Sequence, residues 1–215
     1  MATVACTGSR PKGLYGYGEG RRGDYAAVVD GLARVLERMA LLDGDPPTVF
    51  LSGGAQGADR LFYAAAARVR RSLPPGRVRD EVCIPFRGQE APWNAEGLFS
   101  RDSYRAMLED ADAVAEASPL PRGTAYMTRN RMMVRRADAL VVVALRDPWL
   151  LGARSGTRAT ARMAVMAGLP VWRYDPGSPG RLLPLGRWPG LEPVAEDVGS
   201  AFGRALDGEF GGGSQ

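Results

Sequence analysis

Apolar positions along this chain fall into short runs that alternate with stretches of helical spacing. Thr3–Cys6, Thr48–Leu51, Glu81–Phe86 and Val171–Tyr174 read as strands, with Asp112–Ala117 as a further short one. Ala139–Leu145 is apolar without a break, the pattern of a strand covered on both faces. Asp24 stands as N-cap to a helix that carries Val29, Leu32, Ala33, Leu36 and Ala40 on one side. Leu61, Phe62, Ala65, Ala66 and Val69 mark a second helix, and further helices are expected over 101–109, 123–136 and 157–167. Strands alternating with helices predict the α/β class: a Rossmann-like three-layer sandwich with a mostly parallel central sheet.

The 215 residues suffice for one large core and are few for two, so a single domain over 1–215 is expected, with its core at 3–174. Proline and glycine crowd the stretch 175–193, which reads as a loop; a last helix is expected over 195–206 and a flexible tail over 211–215. No apolar run reaches the length of a membrane span, and the first residues lack the basic and apolar segments of a secretory leader. A cytoplasmic protein without membrane contact is expected.

Composition narrows the chemistry. Histidine is absent, which removes the commonest general base and a common zinc ligand, and Cys6 and Cys83 lie in apolar runs without metal-ligand spacing. No metal and no resident cofactor are expected. Lys12 is the one lysine, so the net charge of +4 is carried by arginine, whose planar fork matches phosphate and carboxylate.

Three turns at predicted strand ends could hold an anion. Ser52-Gly53-Gly54-Ala55-Gln56-Gly57-Ala58-Asp59 joins a strand to a helix, so glycine permits close approach of backbone and the helix start adds free amides and partial positive charge. Its spacing matches neither the lysine-bearing P-loop nor the dinucleotide G-x-G-x-x-G pattern. Ser155-Gly156-Thr157 opens the helix after the buried run, and Gly8-Ser9-Arg10 ends the first strand. Arg129 and Asn130 lie on the helix between. Tyr15-Gly-Tyr-Gly-Glu-Gly20 is glycine-rich but follows no strand directly, so it reads as a lid whose tyrosines could stack on a base.

In order and spacing, Thr7-Gly-Ser-Arg10, the 52–59 turn, Arg129-Asn-Arg-Met-Met133, Ala137-Asp-Ala-Leu-Val-Val-Val143 and Ser155-Gly-Thr157 with Ala167-Gly-Leu-Pro-Val171 resemble the SLOG superfamily, nearest its YspA/YpsA-like branch. That superfamily joins DprA (Smf) DNA-processing proteins to LOG phosphoribohydrolases. The resemblance, over about Thr3 to Tyr174, implies a Rossmann-like fold binding a nucleotide or nucleotide derivative, and pairing into a homodimer. LOG enzymes carry Pro-Gly-Gly-x-Gly-Thr-x-x-Glu and an arginine on the preceding helix; Gly156, Thr157 and Arg129 match, but Thr160 stands at the glutamate position. Without that carboxylate the expected hydrolytic group is missing, which leaves Arg129 and Asp59 each as a candidate catalytic residue, with Asp24, Glu19 and Glu96 as further carboxylates on other loops.

The resulting expectation is a sensor or carrier of a nucleoside phosphate or ADP-ribose-like ligand. Its site would comprise Gly8, Ser9, Arg10, Ser52, Gly53, Gly54, Gln56, Gly57, Asp59, Arg129, Asn130, Ser155, Gly156 and Thr157. The alternatives are an enzyme acting on a nucleotide N-glycosidic or phosphate bond, and single-stranded DNA binding of the DprA kind. The last needs arginines interleaved with aromatics, and no such stripe is visible in the sequence.

Overall fold

The computed structural model describes residues 1–118, 123–178 and 180–185. Seven strands form one sheet in the order β4-β3-β2-β1-β5-β6-β7. They are β1 (Thr3–Gly8), β2 (Thr48–Ser52), β3 (Val78–Ile84), β4 (Ala113–Glu116), β5 (Ala139–Val143), β6 (Val171–Tyr174) and β7 (Leu182–Pro184). All neighbours are parallel except β6 and β7. Five α-helices connect them: α1 (Arg22–Leu42), α2 (Ala58–Ser72), α3 (Arg101–Asp110), α4 (Ala125–Arg136) and α5 (Gly156–Met166).

The strand run at the centre follows from its sequence. β2 and β5 are buried at every position, and alternate β5 side chains enter different cores. Ala139, Val141 and Val143 pack with Leu32, Leu36, Phe62 and Ala65 of α1 and α2. Leu140 and Val142 pack with Met133, Val134, Ala161 and Ala164 of α4 and α5. A strand wetted on neither side must be apolar throughout, and each such Val or Leu contributes ~1.5–3 kcal/mol by burial. The result is the expected α/β sandwich of helix, mostly parallel sheet and helix.

β1 lies between the two halves. Ala5 pairs with Leu51 of β2 on one side and Leu140 of β5 on the other. Successive connections run outward from β1 through β2, β3 and β4, then the chain returns through α4 to β5. This reversal between β1 and β5 is a topological switch point, where the loops at the carboxyl ends of the strands part and leave a crevice.

Several boundaries differ from expectation. Asp24 is not the N-cap of α1: the helix begins at Arg22, with Arg21 at the cap, and Asp24 lies in its first turn 3.3 Å from Arg21 Nη1. β3 starts at Val78 rather than Glu81 and stops at Ile84, because backbone pairing to β2 extends through Arg79 and Asp80 despite their charge. The loop expected over 175–193 contains β7, whose Leu182 and Leu183 pair with Tyr174 and Arg173; Pro184 is tolerable on an edge strand that needs no ladder amide there. The helix expected over 195–206 and the tail lie outside the described residues. Among those described, no helix is long and apolar enough to cross a membrane.

Candidate functional site

The residues that form the candidate site come from four segments far apart in sequence. β1 ends in Gly8, whose close neighbours leave no room for a side chain: an added Cβ would meet the Val143 carbonyl oxygen at 2.2 Å and the Ala58 Cβ at 2.4 Å. The Ser9 amide donates to the Val143 carbonyl at 3.0 Å, and the Ser9 carbonyl accepts from the Ala58 amide at 3.0 Å. The end of β1 is thereby tied to both β5 and the start of α2. From α5, Thr157 Oγ1 donates to the Gly8 carbonyl at 2.7 Å, so the start of this helix is fixed to the same point.

The 52–59 turn lies below this crest and is buried throughout. Gly57 takes φ of +96°, in the left-handed region, and passes so close to Ser9 that a Cβ would lie 2.4 Å from its carbonyl oxygen. Glycine is required on both counts. The turn already uses several of its polar groups. Ser52 Oγ donates to the Asp59 carbonyl at 2.8 Å and accepts from the Gly54 amide at 3.1 Å, while the Ala55 amide donates to Asp59 Oδ2 at 3.2 Å.

Asp59 also receives Arg129 Nη1 at 2.8 Å, a pair with side chains only 8% and 6% exposed. Arg129 approaches Gly53 so closely that a Cβ there would lie 1.4 Å from Nη1. A carboxylate and a guanidinium brought out of water together are costly unless each is well bonded, so this geometry neutralises the floor of the crevice from within. Arg129 Nε has no hydrogen-bond partner among the described residues. Burial raises the Cys6 thiol pKa well above its usual range; the Asp59 charge acts in the same direction and Arg129 against it.

Asn130 and the glutamate-position residue Thr160 hold the two helices of the other layer together. Asn130 Nδ2 donates to Thr160 Oγ1 at 2.8 Å, and that hydroxyl donates to the Gly156 carbonyl at 2.8 Å. Thr160 is a buried strut between α4 and α5, remote in chemistry from an acid or base.

At the surface of the crest, Arg10 is exposed and Ser9 half-buried. Ser155 caps α5, accepting the Arg158 amide on its side chain at 3.2 Å and the Ala159 amide on its carbonyl at 3.0 Å. The amides of Gly156 and Thr157 find no acceptor among the described residues, as expected for the first residues of a helix. Gly156 itself is exposed, with nothing within 4 Å of a Cβ built on it. Most of the sequence-predicted residues are therefore brought together, with the 52–59 turn and Arg129 below and Gly8–Arg10 and Ser155–Thr157 above, while Asn130 and Gln56 are turned to partners elsewhere.

Two participants, Phe99 and Arg60, were not legible as such, and one predicted residue is turned elsewhere. Gln56 reaches away from the crest: its Nε2 donates to the Phe99 carbonyl at 2.8 Å and its Oε1 accepts from Tyr17 at 3.3 Å. Phe99 carries no motif, and only proximity in space joins it to the turn. Arg60 is buried in the first turn of α2 and donates to the Ser103 carbonyl at 2.7 Å, tying α2 to α3; burial lowers its pKa to about 10. An arginine set directly before the apolar pair Leu61-Phe62 was the signal available for it.

No family model matches the chain, and no curated protein matches it. Among solved structures, DNA processing protein A (DprA) from Streptococcus pneumoniae is similar, with 19% identity and a TM-score of 0.49 over 80% of this chain and 50% of that one. A DprA structure from Helicobacter pylori, described for its single-stranded DNA binding mode, gives 19% identity and a TM-score of 0.47 over 80% of this chain and 64% of its own. The chain thus spans one half to about two thirds of the length of these proteins.

Proposed function

We propose that the protein binds a nucleotide derivative at the crest between β1 and β5, with the ligand's phosphate at the start of α5. The observation that carries this reading is the start of α5, where the Gly156 and Thr157 amides have no acceptor among the described residues and the Thr157–Gly8 bond ties the helix to the strand end that leads into the exposed Arg10. A helix start concentrates partial positive charge, and an arginine beside it adds a full one. The 52–59 turn then acts as a shaped floor rather than as the phosphate cradle, since Asp59 already takes the Ala55 amide and neutralises Arg129. Binding is favoured over LOG-type hydrolysis because Thr160 is committed to Asn130 and Gly156, and Asp59 to Arg129.

Gly156→Pro provides the test. Proline is accepted at the first position of a helix and removes one open amide without disturbing the fold. With AMP, ADP-ribose and ribose 5-phosphate in calorimetry, affinity for all three should fall about tenfold, the scale of one charge-assisted hydrogen bond. Unchanged affinity in Gly156→Pro and in Arg10→Ala would exclude this site.

A second reading, single-stranded nucleic acid binding, is favoured by one surface. A hollow of about 380 Å³ between α4 and α5 is lined by Arg131, Arg158 and Arg162 together with Met127, Met163 and Met166, and by no carboxylate. It lies along the same helix that starts at the crest. If a strand runs there, the slope of log affinity against log salt for an oligothymidylate should flatten by roughly 0.7 for each arginine removed. A salt-insensitive affinity, or none, would leave the small-ligand reading alone.

A further inference from the structure

Outside the crest, a concavity opens between the segment leading into α1 and the turn before α3. It has a volume of about 520 Å³ and is walled by Tyr17, Tyr25, Val29, Leu98 and Phe99. We infer that this groove seats a purine base, with Glu96 accepting a hydrogen bond from the base's amino group. The inference deepens the nucleotide reading and depends on it only for the phosphate.

Size and lining come first. Small-molecule sites fall between roughly 300 and 1,000 Å³ and combine apolar walls with a few polar groups. Here the walls are aromatic in an unusual degree. Tyr17 meets Phe99 at 6.3 Å between ring centroids and 80° between planes, and Tyr25 meets Phe99 at 5.0 Å and 89°. With Tyr25 and Phe99 buried in these edge-to-face contacts, Tyr17 is the ring of the three with surface left for a flat partner. Tyr17 is 41% exposed at the mouth of the groove, a large aromatic that the core does not use.

Charge decides which part of a nucleotide fits. Asp30 and Arg22 both line the groove: Asp30 is paired with Arg68, and Arg22 Nη2 lies 3.8 Å from a Cβ built on Gly97. Glu96, exposed at the rim, makes no side-chain hydrogen bond or ion pair among the described residues. A carboxylate that is not already paired accepts from an N–H donor. The groove therefore suits a neutral ring with an exocyclic amino group, while the anion is left to the crest.

The two places are joined through one residue. Gln56 belongs to the turn beneath Ser9 and Arg10, yet it bonds Tyr17 through Oε1 and the Phe99 carbonyl through Nε2. Groove wall and crevice floor are thus held in register by a single amide side chain.

The test uses the full chain with adenosine, AMP, ribose 5-phosphate and purine riboside, which lacks the amino group. Ala26 is exposed and lines the groove, so Ala26→Trp fills the space from a surface position. It should weaken adenosine and AMP at least about tenfold, the value of a lost stacking contact, and leave ribose 5-phosphate unchanged. Glu96→Ala should cost adenosine about tenfold and purine riboside nothing. Adenosine affinity untouched by Ala26→Trp, or absent in a protein that binds AMP, would overturn the inference. Adenosine lost in Ala26→Trp while AMP ignores Gly156→Pro would leave the groove standing and remove the phosphate site instead.

Discussion

Arg129 and Asp59, 70 residues apart in the chain, meet at 2.8 Å beneath the crevice, both almost wholly out of water. Such a pair is a poor source of net stability when intact and a large liability when halved. Asp59→Asn or Arg129→Met alone should destabilise by about 3–5 kcal/mol in urea denaturation, because each leaves the other charge buried without a counterpart. The double substitution should cost clearly less than the sum. Additive effects would show that the two side chains do not act as a pair.

Glycine substitutions should separate packing from binding. Gly8→Ala and Gly53→Ala meet the Val143 carbonyl and the Arg129 guanidinium well inside contact distance, and both should lower the melting temperature substantially. Gly156→Ala meets nothing and retains its amide, so stability and ligand affinity should both stay near those of the parent protein. A Gly53→Ala protein that melts like the parent would mean that Arg129 is free to leave Gly53.

Much of this was written in the pattern of apolar residues. The strand β2, β5 with burial on both faces, and the turn-bearing joints at Gly8, Gly57 and Gly156 are local properties, and local properties are legible. What could not be read is pairing across distance. Nothing near Asp59 indicates that its partner is Arg129 rather than the solvent beyond a helix start. Nothing near Tyr17 points to Phe99. β7 was concealed by its short length and its proline, since an edge strand of three residues leaves no periodicity to detect.

Thr160→Val tests the strut between α4 and α5. It keeps the shape but removes the hydroxyl, leaving Asn130 Nδ2 without its 2.8 Å partner. A loss of about 1–3 kcal/mol is expected, the cost of a buried donor left unsatisfied. No loss would indicate that water replaces the hydroxyl.

Asp80 should give the protein an uncommon pH response. It is fully buried at the opposite end of the sheet from the crest, and Arg70 Nε lies 3.1 Å from it while also facing Asp110 and Asp112. Burial pushes its pKa from 3.8 up to about 7, against the pull of Arg70 and helped by the two neighbouring carboxylates. Between those values the folded protein retains a proton that the unfolded chain has released. Its contribution therefore favours folding most below about pH 4 and declines as pH rises toward 7. Asp80→Asn should remove that decline, gaining about 2–4 kcal/mol relative to the parent between pH 5 and 8 in denaturation midpoints. A constant difference across that range would show that Asp80 stays ionised.

The position of β1 between β2 and β5 also governs the order in which the protein can be completed. β1 is synthesised before the other strands of the sheet and acquires β2 after some forty residues, but Leu140, the partner of Ala5 on its other side, emerges only after four strands and their helices. Until then the growing chain carries an open strand edge along the middle of its eventual sheet, the feature that most readily recruits a second unfinished copy. Closure of that edge needs one of the longest-range contacts in the molecule and is the natural slow step of folding. The crest is built from both sides of this seam, so the site is assembled last and only in a chain that has closed correctly.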